Sequence, residues 1–220
     1  MNKKALLAEF IATFALTFIG VGAIAVNYIS GGQSGLVGIA LAHGLTIAVM
    51  VAAIGGISGA HINPAVTIGL FVTQKIDALN TIGYIISQCF GAITAAVLLK
   101  ICIPASALLA VGMGTPALGT GVSVTMGLVT EIILTFFLMF VIYGTAVDKR
   151  GMKPAGLFIG LTVTLDILMG GPISGAAMNP ARHLGPALLG GGLQNLWFYW
   201  VGPIAGAILA SILYQKVLEE

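Results

Sequence analysis

Charge is what this chain lacks most. Only 7% of its 220 residues are Asp, Glu, Lys or Arg, against 58% hydrophobic, and the formal net charge is +2. Soluble globular domains carry roughly 25% charged residues, so the composition excludes that class and points to an integral membrane protein. A net charge this small argues against nucleic acid as a partner. Cysteine is scarce too. Cys89 and Cys102 lie in or near one apolar run and read as buried thiols rather than a disulfide or metal site. No adjacent nucleophile and base and no cluster of metal ligands is visible, so neither an enzyme nor a cofactor or metal is expected. Glycine is abundant, with 31 residues set inside apolar runs, where small residues let helices pack closely in lipid.

The apolar runs predict six spans. They cover about Ala5–Val26, Leu36–Ile54, Leu79–Ile103, Val122–Val147, a fifth ending near Met169, and Leu196–Tyr214. The first follows Lys3-Lys4 but continues too far for a signal peptide. Pro104–Gly121 reads as a long uncharged connection, and 148–154 as the most charged stretch.

One nine-residue stretch occurs twice. Ser58–Val66 (Ser-Gly-Ala-His-Ile-Asn-Pro-Ala-Val) returns as Ser174–Arg182 (Ser-Gly-Ala-Ala-Met-Asn-Pro-Ala-Arg), identical at six positions. Asn63 and Asn179 stand at helix caps, with Pro64 and Pro180 at the first helical position. Each following apolar stretch, to Thr73 and to Leu189, is about ten residues. At ~1.5 Å per residue it spans only half of a ~30 Å hydrocarbon core. Glu9 matches Glu131, and Gly91-Ala92-Ile93 matches Gly206-Ala207-Ile208. The predicted fold is therefore all-α: six transmembrane helices and two re-entrant half-helices in one channel domain over 1–220. Its inverted three-helix repeats cover about 1–103 and 122–220, joined by 104–121. An odd number of spans per repeat inverts the second, so the half-helices enter from opposite faces and meet. Lys3, Lys4, Lys75, Lys149, Arg150, Lys153 and Lys216 share one side, which puts both termini in the cytoplasm.

Non-helical backbone at membrane depth survives only when buried in protein or lining water. The segments before Asn63 and Asn179 therefore face a water file. Two half-helix N-termini meeting there repel cations and orient water, with the asparagine amides donating into the lumen. Glu9 and Glu131, costly in lipid, call for backbone donors near the half-helices. His61 reads as an inner-vestibule residue, His183 as a packed or capping one, and Asp166 as a mouth residue or packing partner.

The doubled Asn-Pro-Ala motif (Asn63, Pro64, Ala65; Asn179, Pro180, Ala181), Arg182 after the second copy, Ala8-Glu9-Phe10, Gly185-Pro186 and the 197–203 stretch resemble the aquaporin, or major intrinsic protein, family. The resemblance covers essentially the whole chain. It implies a homotetramer with one pore per subunit. It also implies a selectivity filter whose four positions fall on His43, Ile167, Ala176 and Arg182, a set similar to that of plant vacuolar membrane channels. Tyr199-Trp200 resembles the water-channel pattern of the family; His183 fits neither it nor the glycerol-facilitator pattern.

The expectation is a passive, proton-excluding channel for water and small neutral solutes, ammonia included, surrounded by membrane lipid. The short termini point to a multi-pass protein of a cell (inner or plasma) membrane, with a eukaryotic organelle membrane as the alternative. The alternatives are a glycerol or small-polyol facilitator, an inverted-repeat secondary transporter with Glu9, Glu131 and Asp166 as coupling sites, and a non-conducting scaffold.

Overall fold

The computed structural model describes residues 2–219. Six helices in it are long and apolar enough to cross a membrane. In chain order the helices are α1 (Lys3–Ile29), α2 (Gly35–Ser58), the short α3 (Pro64–Val72), α4 (Ala78–Cys102), α5 (Ala105–Ala110), α6 (Val124–Ile142), α7 (Ala155–Ser174), the short α8 (Pro180–Gly190) and α9 (Leu196–Leu213). Wider π-helical turns extend α6 over Tyr143–Val147 and α9 over Tyr214–Leu218.

The packing is symmetric. The contacts of α1 with α4 are mirrored by those of α6 with α9, and the contacts of α3 with α9 by those of α8 with α4. At the centre α2 crosses α7. A Cβ on Gly44 would strike the carbonyl of Gly160, and a Cβ on Gly160 the carbonyl of Gly44. Only hydrogen at both positions permits that crossing.

Three boundaries and one environment differ from the sequence expectation. Both α2 and α7 run four to five residues beyond Ile54 and Met169, through Gly55-Gly56 and through Gly170-Gly171-Pro172. Without water to take up freed backbone groups, a helix at membrane depth persists through glycine. Each ends one residue later on a left-handed glycine, Gly59 (φ 85°) and Gly175 (φ 81°). The 104–121 connection contains α5, because Ala107 and Leu108 bury themselves; Leu108 packs with Ala25, Ala96 and Met113. The cysteines are not core thiols: Cys89 is half-buried and Cys102 exposed. Cys102 is the last residue of α4, past the buried Leu99, and Cys89 lies between the buried Gln88 and the exposed Phe90.

Candidate functional site

Asn63 and Asn179 cap α3 and α8. The Asn63 side-chain oxygen accepts from Ala65 N at 2.8 Å, and that of Asn179 from Ala181 N at 3.0 Å and Arg182 N at 3.2 Å. Their Nδ2 atoms cross over. Asn63 donates to Met178 O (2.8 Å) and Asn179 donates to Ile62 O (2.9 Å), so each amide bonds the carbonyl just before the other asparagine. This ties the two half-helix N-termini together. A carboxamide has two N–H donors, so one on each asparagine remains for the lumen it lines.

The backbone leading to each asparagine is strained. Ala60 (φ 52°), Ile62 (φ 58°), Ala176 (φ 46°) and Met178 (φ 52°) are left-handed, a region L-residues rarely adopt. Two fully buried carboxylates hold these segments. Glu9 accepts from Ser58 Oγ (2.6 Å), His61 N (2.9 Å), Ile62 N (2.6 Å) and Gln88 Nε2 (2.8 Å). Glu131 accepts from Ser174 Oγ (2.7 Å), Ala177 N (2.9 Å) and Met178 N (2.7 Å). Charge-assisted bonds of this kind are about twice as strong as neutral ones. They offset the cost of the left-handed residues and hold these segments along the lumen they line.

A second pair braces the same loops. Tyr84 Oη donates to Ser58 O (2.8 Å) and Tyr199 Oη to Ser174 O (2.5 Å). Sequence reasoning missed Tyr84, Gln88 and this use of Tyr199. The match of Gly91 with Gly206 already aligned the two tyrosines, 115 residues apart like the glycines. His183 is fully buried and stacks on Tyr199 with ring centres 4.0 Å apart; neither of its ring nitrogens has a hydrogen-bond partner among the described residues.

The lumen is a narrow cavity of about 70 Å³. At ~10–15 Å³ per water, that is room for roughly five waters. Aliphatic side chains such as Leu16, Ile47, Val66, Leu138 and Val163 form most of the wall, with His61, Asn63 and Asn179 as polar points. His61 also sits edge-on to Tyr84, with its Nδ1 3.1 Å from Thr67 Oγ1. A wider vestibule of about 310 Å³ opens beyond it, bordered by Gly114, Thr115, Pro116 and Ala117 of the long connection. Four residues border both cavities: His43, Ile167, Ala176 and Arg182. They form the neck. Arg182 Nη1 donates to Gly114 O at 2.8 Å, so the 104–121 connection dips inward to hold the guanidinium. That role of Gly114 had no sequence signal. Gly20 was also missed: a Cβ there would overlap the His43 ring.

Asp166 does not border the lumen or the vestibule. It is buried, and its Oδ2 has no hydrogen-bond partner among the described residues. Its neighbours one turn to either side on α7 include Gly170, where a Cβ would meet Leu134 and Thr130 of α6. No group of His, Cys, Asp and Glu among the described residues could hold a metal.

Six spans around a lumen, two half-helices tied tip to tip and one polar neck define a membrane channel. The profile of the major intrinsic protein family matches residues 1–214. The chain is 45% identical over 221 residues to "Aquaporin TIP4-4" of Zea mays, covering 96% of this chain and 85% of that protein. It is 44% identical over 225 residues to "Probable aquaporin TIP2-2" of Oryza sativa subsp. japonica, covering 98% and 88%. Its fold superposes on the X-ray structure of the aquaglyceroporin from Plasmodium falciparum with a TM-score of 0.87 at 26% identity, covering 99% of this chain and 97% of that one. The chain belongs to the major intrinsic protein family and is a multi-pass membrane channel for water and small solutes, not an enzyme.

Proposed function

We propose that the channel is passive and proton-excluding, and that it conducts water together with ammonia. The composition of the neck carries this reading. Ile167 and Ala176 give it apolar wall and space, while His43 and Arg182 keep a polar edge at 3.1 Å from each other. A fixed guanidinium and two converging half-helix N-termini make the path hostile to cations. Ammonia, being neutral and no larger than water, meets no such barrier. The asparagine amides offer each passing water a donor, so its oxygen turns toward Asn63 and Asn179. A file of waters oriented away from that point on both sides cannot relay a proton through it.

In this reading Asn63, Pro64, Ala65, Asn179, Pro180 and Ala181 form the central constriction. His43, Ile167, Ala176 and Arg182 form the selectivity filter, Glu9 and Glu131 support the loops, and His61 lines the inner vestibule. The assembly is a homotetramer with a pore in each subunit, the repeats about 1–103 and 122–220 being inverted. It resides in a cell (inner or plasma) membrane with both termini cytoplasmic.

The likeness in fold to an aquaglyceroporin favours a second reading, a glycerol or small-polyol facilitator. Stopped-flow light scattering on proteoliposomes separates the two. Water, ammonia and glycerol are run on one preparation. Fast water flux, ammonia above the lipid background and glycerol at background fit the first reading. Fast glycerol flux fits the second and overturns the first.

A further inference from the structure

Among the described residues, the end of the bundle opposite Lys3, Lys75 and Lys149 carries one exposed cation outside the lumen. This is Lys100, in the last turn of α4. Neither ion pair among the described residues includes it. Nor do the described residues supply a counter-ion there. Of the acidic residues described, Asp77 begins α4 at its far end, Asp148 and Glu219 lie at that same far end, and Glu9, Glu131 and Asp166 are buried.

Lys100 borders a groove of about 440 Å³ whose other walls include Leu108, Leu109, Met113 and Leu189. The groove is open on the Gly112 side, where a Cβ would meet nothing within 4 Å. Ile101 and Leu109 beside it are 77% and 79% exposed. An unpaired ammonium therefore heads an uncovered apolar trough at the end of a membrane span, the depth at which lipid headgroups lie.

We propose that this groove is a binding site for an anionic phospholipid. Its phosphate pairs with Lys100, and the upper part of one acyl chain covers Leu108, Leu109 and Leu189. A small anion from water would neutralise the lysine and leave the trough bare. A neutral hydrocarbon would do the reverse. A phospholipid supplies both complements at a depth it already occupies, and an anionic head does so without the cation that a zwitterionic head sets beside its phosphate in competition with Lys100. The inference is independent of which solute the pore conducts.

The test is native mass spectrometry of the purified channel in neutral detergent, titrated with phosphatidylglycerol, phosphatidylcholine or soluble glycerophosphate, with thermal unfolding in parallel. Wild type is compared with Lys100→Gln and Leu109→Gln, both at exposed positions. Lys100→Gln should bind phosphatidylglycerol roughly five-fold more weakly, the factor one basic residue near an anionic lipid surface carries, and should leave phosphatidylcholine binding unchanged. Leu109→Gln, with the charge intact, should weaken it as well. Equal phosphatidylglycerol binding and equal stabilisation of wild type and Lys100→Gln would overturn the proposal. So would loss in Lys100→Gln with none in Leu109→Gln, or stabilisation of wild type by glycerophosphate alone, because either outcome makes the site a surface charge without a groove.

Discussion

Arg182 donates from Nη2 to Nε2 of His43 at 3.1 Å, on the polar side of the neck. A guanidinium can only donate, so Nε2 is the acceptor. The hydrogen then resides on Nδ1, which donates to Ile39 O at 2.8 Å one turn earlier on α2. The two side chains at the neck thus fix one another, the histidine in ring flip and tautomer, the arginine in direction.

Replacing Arg182 with Val removes the fixed charge and frees His43 Nε2 and Gly114 O. Water flux should persist, and a proton or sodium leak should appear. A pH-sensitive dye trapped in proteoliposomes measures it. A variant as proton-tight as wild type would put the whole barrier at the asparagine pair.

Gly20→Ala places a methyl in the space of the His43 ring. Overpacking of this kind costs about 1–3 kcal/mol. The ring must also turn from Arg182, so flux should change along with stability. Thermal unfolding in detergent and stopped-flow flux on the same sample check this. A stability loss with unchanged permeability would mean that the His43 ring position does not limit flux.

The two supporting carboxylates differ in a measurable way. Glu9 accepts from four donors and Glu131 from three, because Gln88 has no counterpart bonded to Glu131. Removing either with Ala strands buried donors at about 1–3 kcal/mol each and should prevent stable folding. The milder Glu→Gln change turns one acceptor oxygen into a donor facing N–H groups. It should lower the melting temperature more at Glu9 than at Glu131.

One pH effect lies outside the spans. Arg150 donates to Asp148 from its backbone N (2.8 Å) and its guanidinium, and holds that carboxyl well below the ordinary aspartate value of 3.8. A lowered folded value means the contribution is complete above the ordinary range and is lost as pH falls through the lowered one. The basic end of the bundle, where Tyr214 Oη also donates to Asp148, should therefore loosen only in strong acid. Asp148→Asn should lower the melting temperature at neutral pH, where the carboxylate contributes in full, and should show a smaller further fall in strong acid than wild type.

Close approach gives a matched pair of packing tests. A Cβ on Gly91 would strike Phe10 O on α1, and a Cβ on Gly206 would strike Ile132 O on α6. Substituting either with Leu should destabilise the bundle by more than the ~1–3 kcal/mol of ordinary overpacking, because backbone cannot move aside as a side chain can. Detergent melts of the two variants should fall by similar amounts.

Much of this was legible in the residues. The six spans follow from apolar length, and the half-helices from Asn-Pro followed by too few apolar residues to cross. The repeat was visible in Glu9 and Glu131, and their need for donors followed from the cost of a carboxylate in lipid. The four filter positions taken from the family resemblance coincide with the four residues that border both cavities. Other features were not legible. The expected spans stop at Ile54 and Met169, yet the helices run on through Gly55-Gly56 and Gly170-Gly171. Local propensity counts water as an alternative partner, and there is none at that depth. Gly114 and Gly20 carry no chemistry of their own, and act only through what lies against them.

By itself, the sequence determined the class of protein, the count of spans, the doubled half-helix and the donors and acceptors each segment brings. Those depend on composition and on order along the chain. Only the tertiary structure decided which groups meet: Asn63 with Met178, Asn179 with Ile62, Arg182 with His43 and Gly114, Tyr199 with Ser174. Such pairings join residues up to 139 positions apart. They arise because two inverted halves must bury strained backbone and charge against each other, and nowhere else in a membrane can those groups find partners.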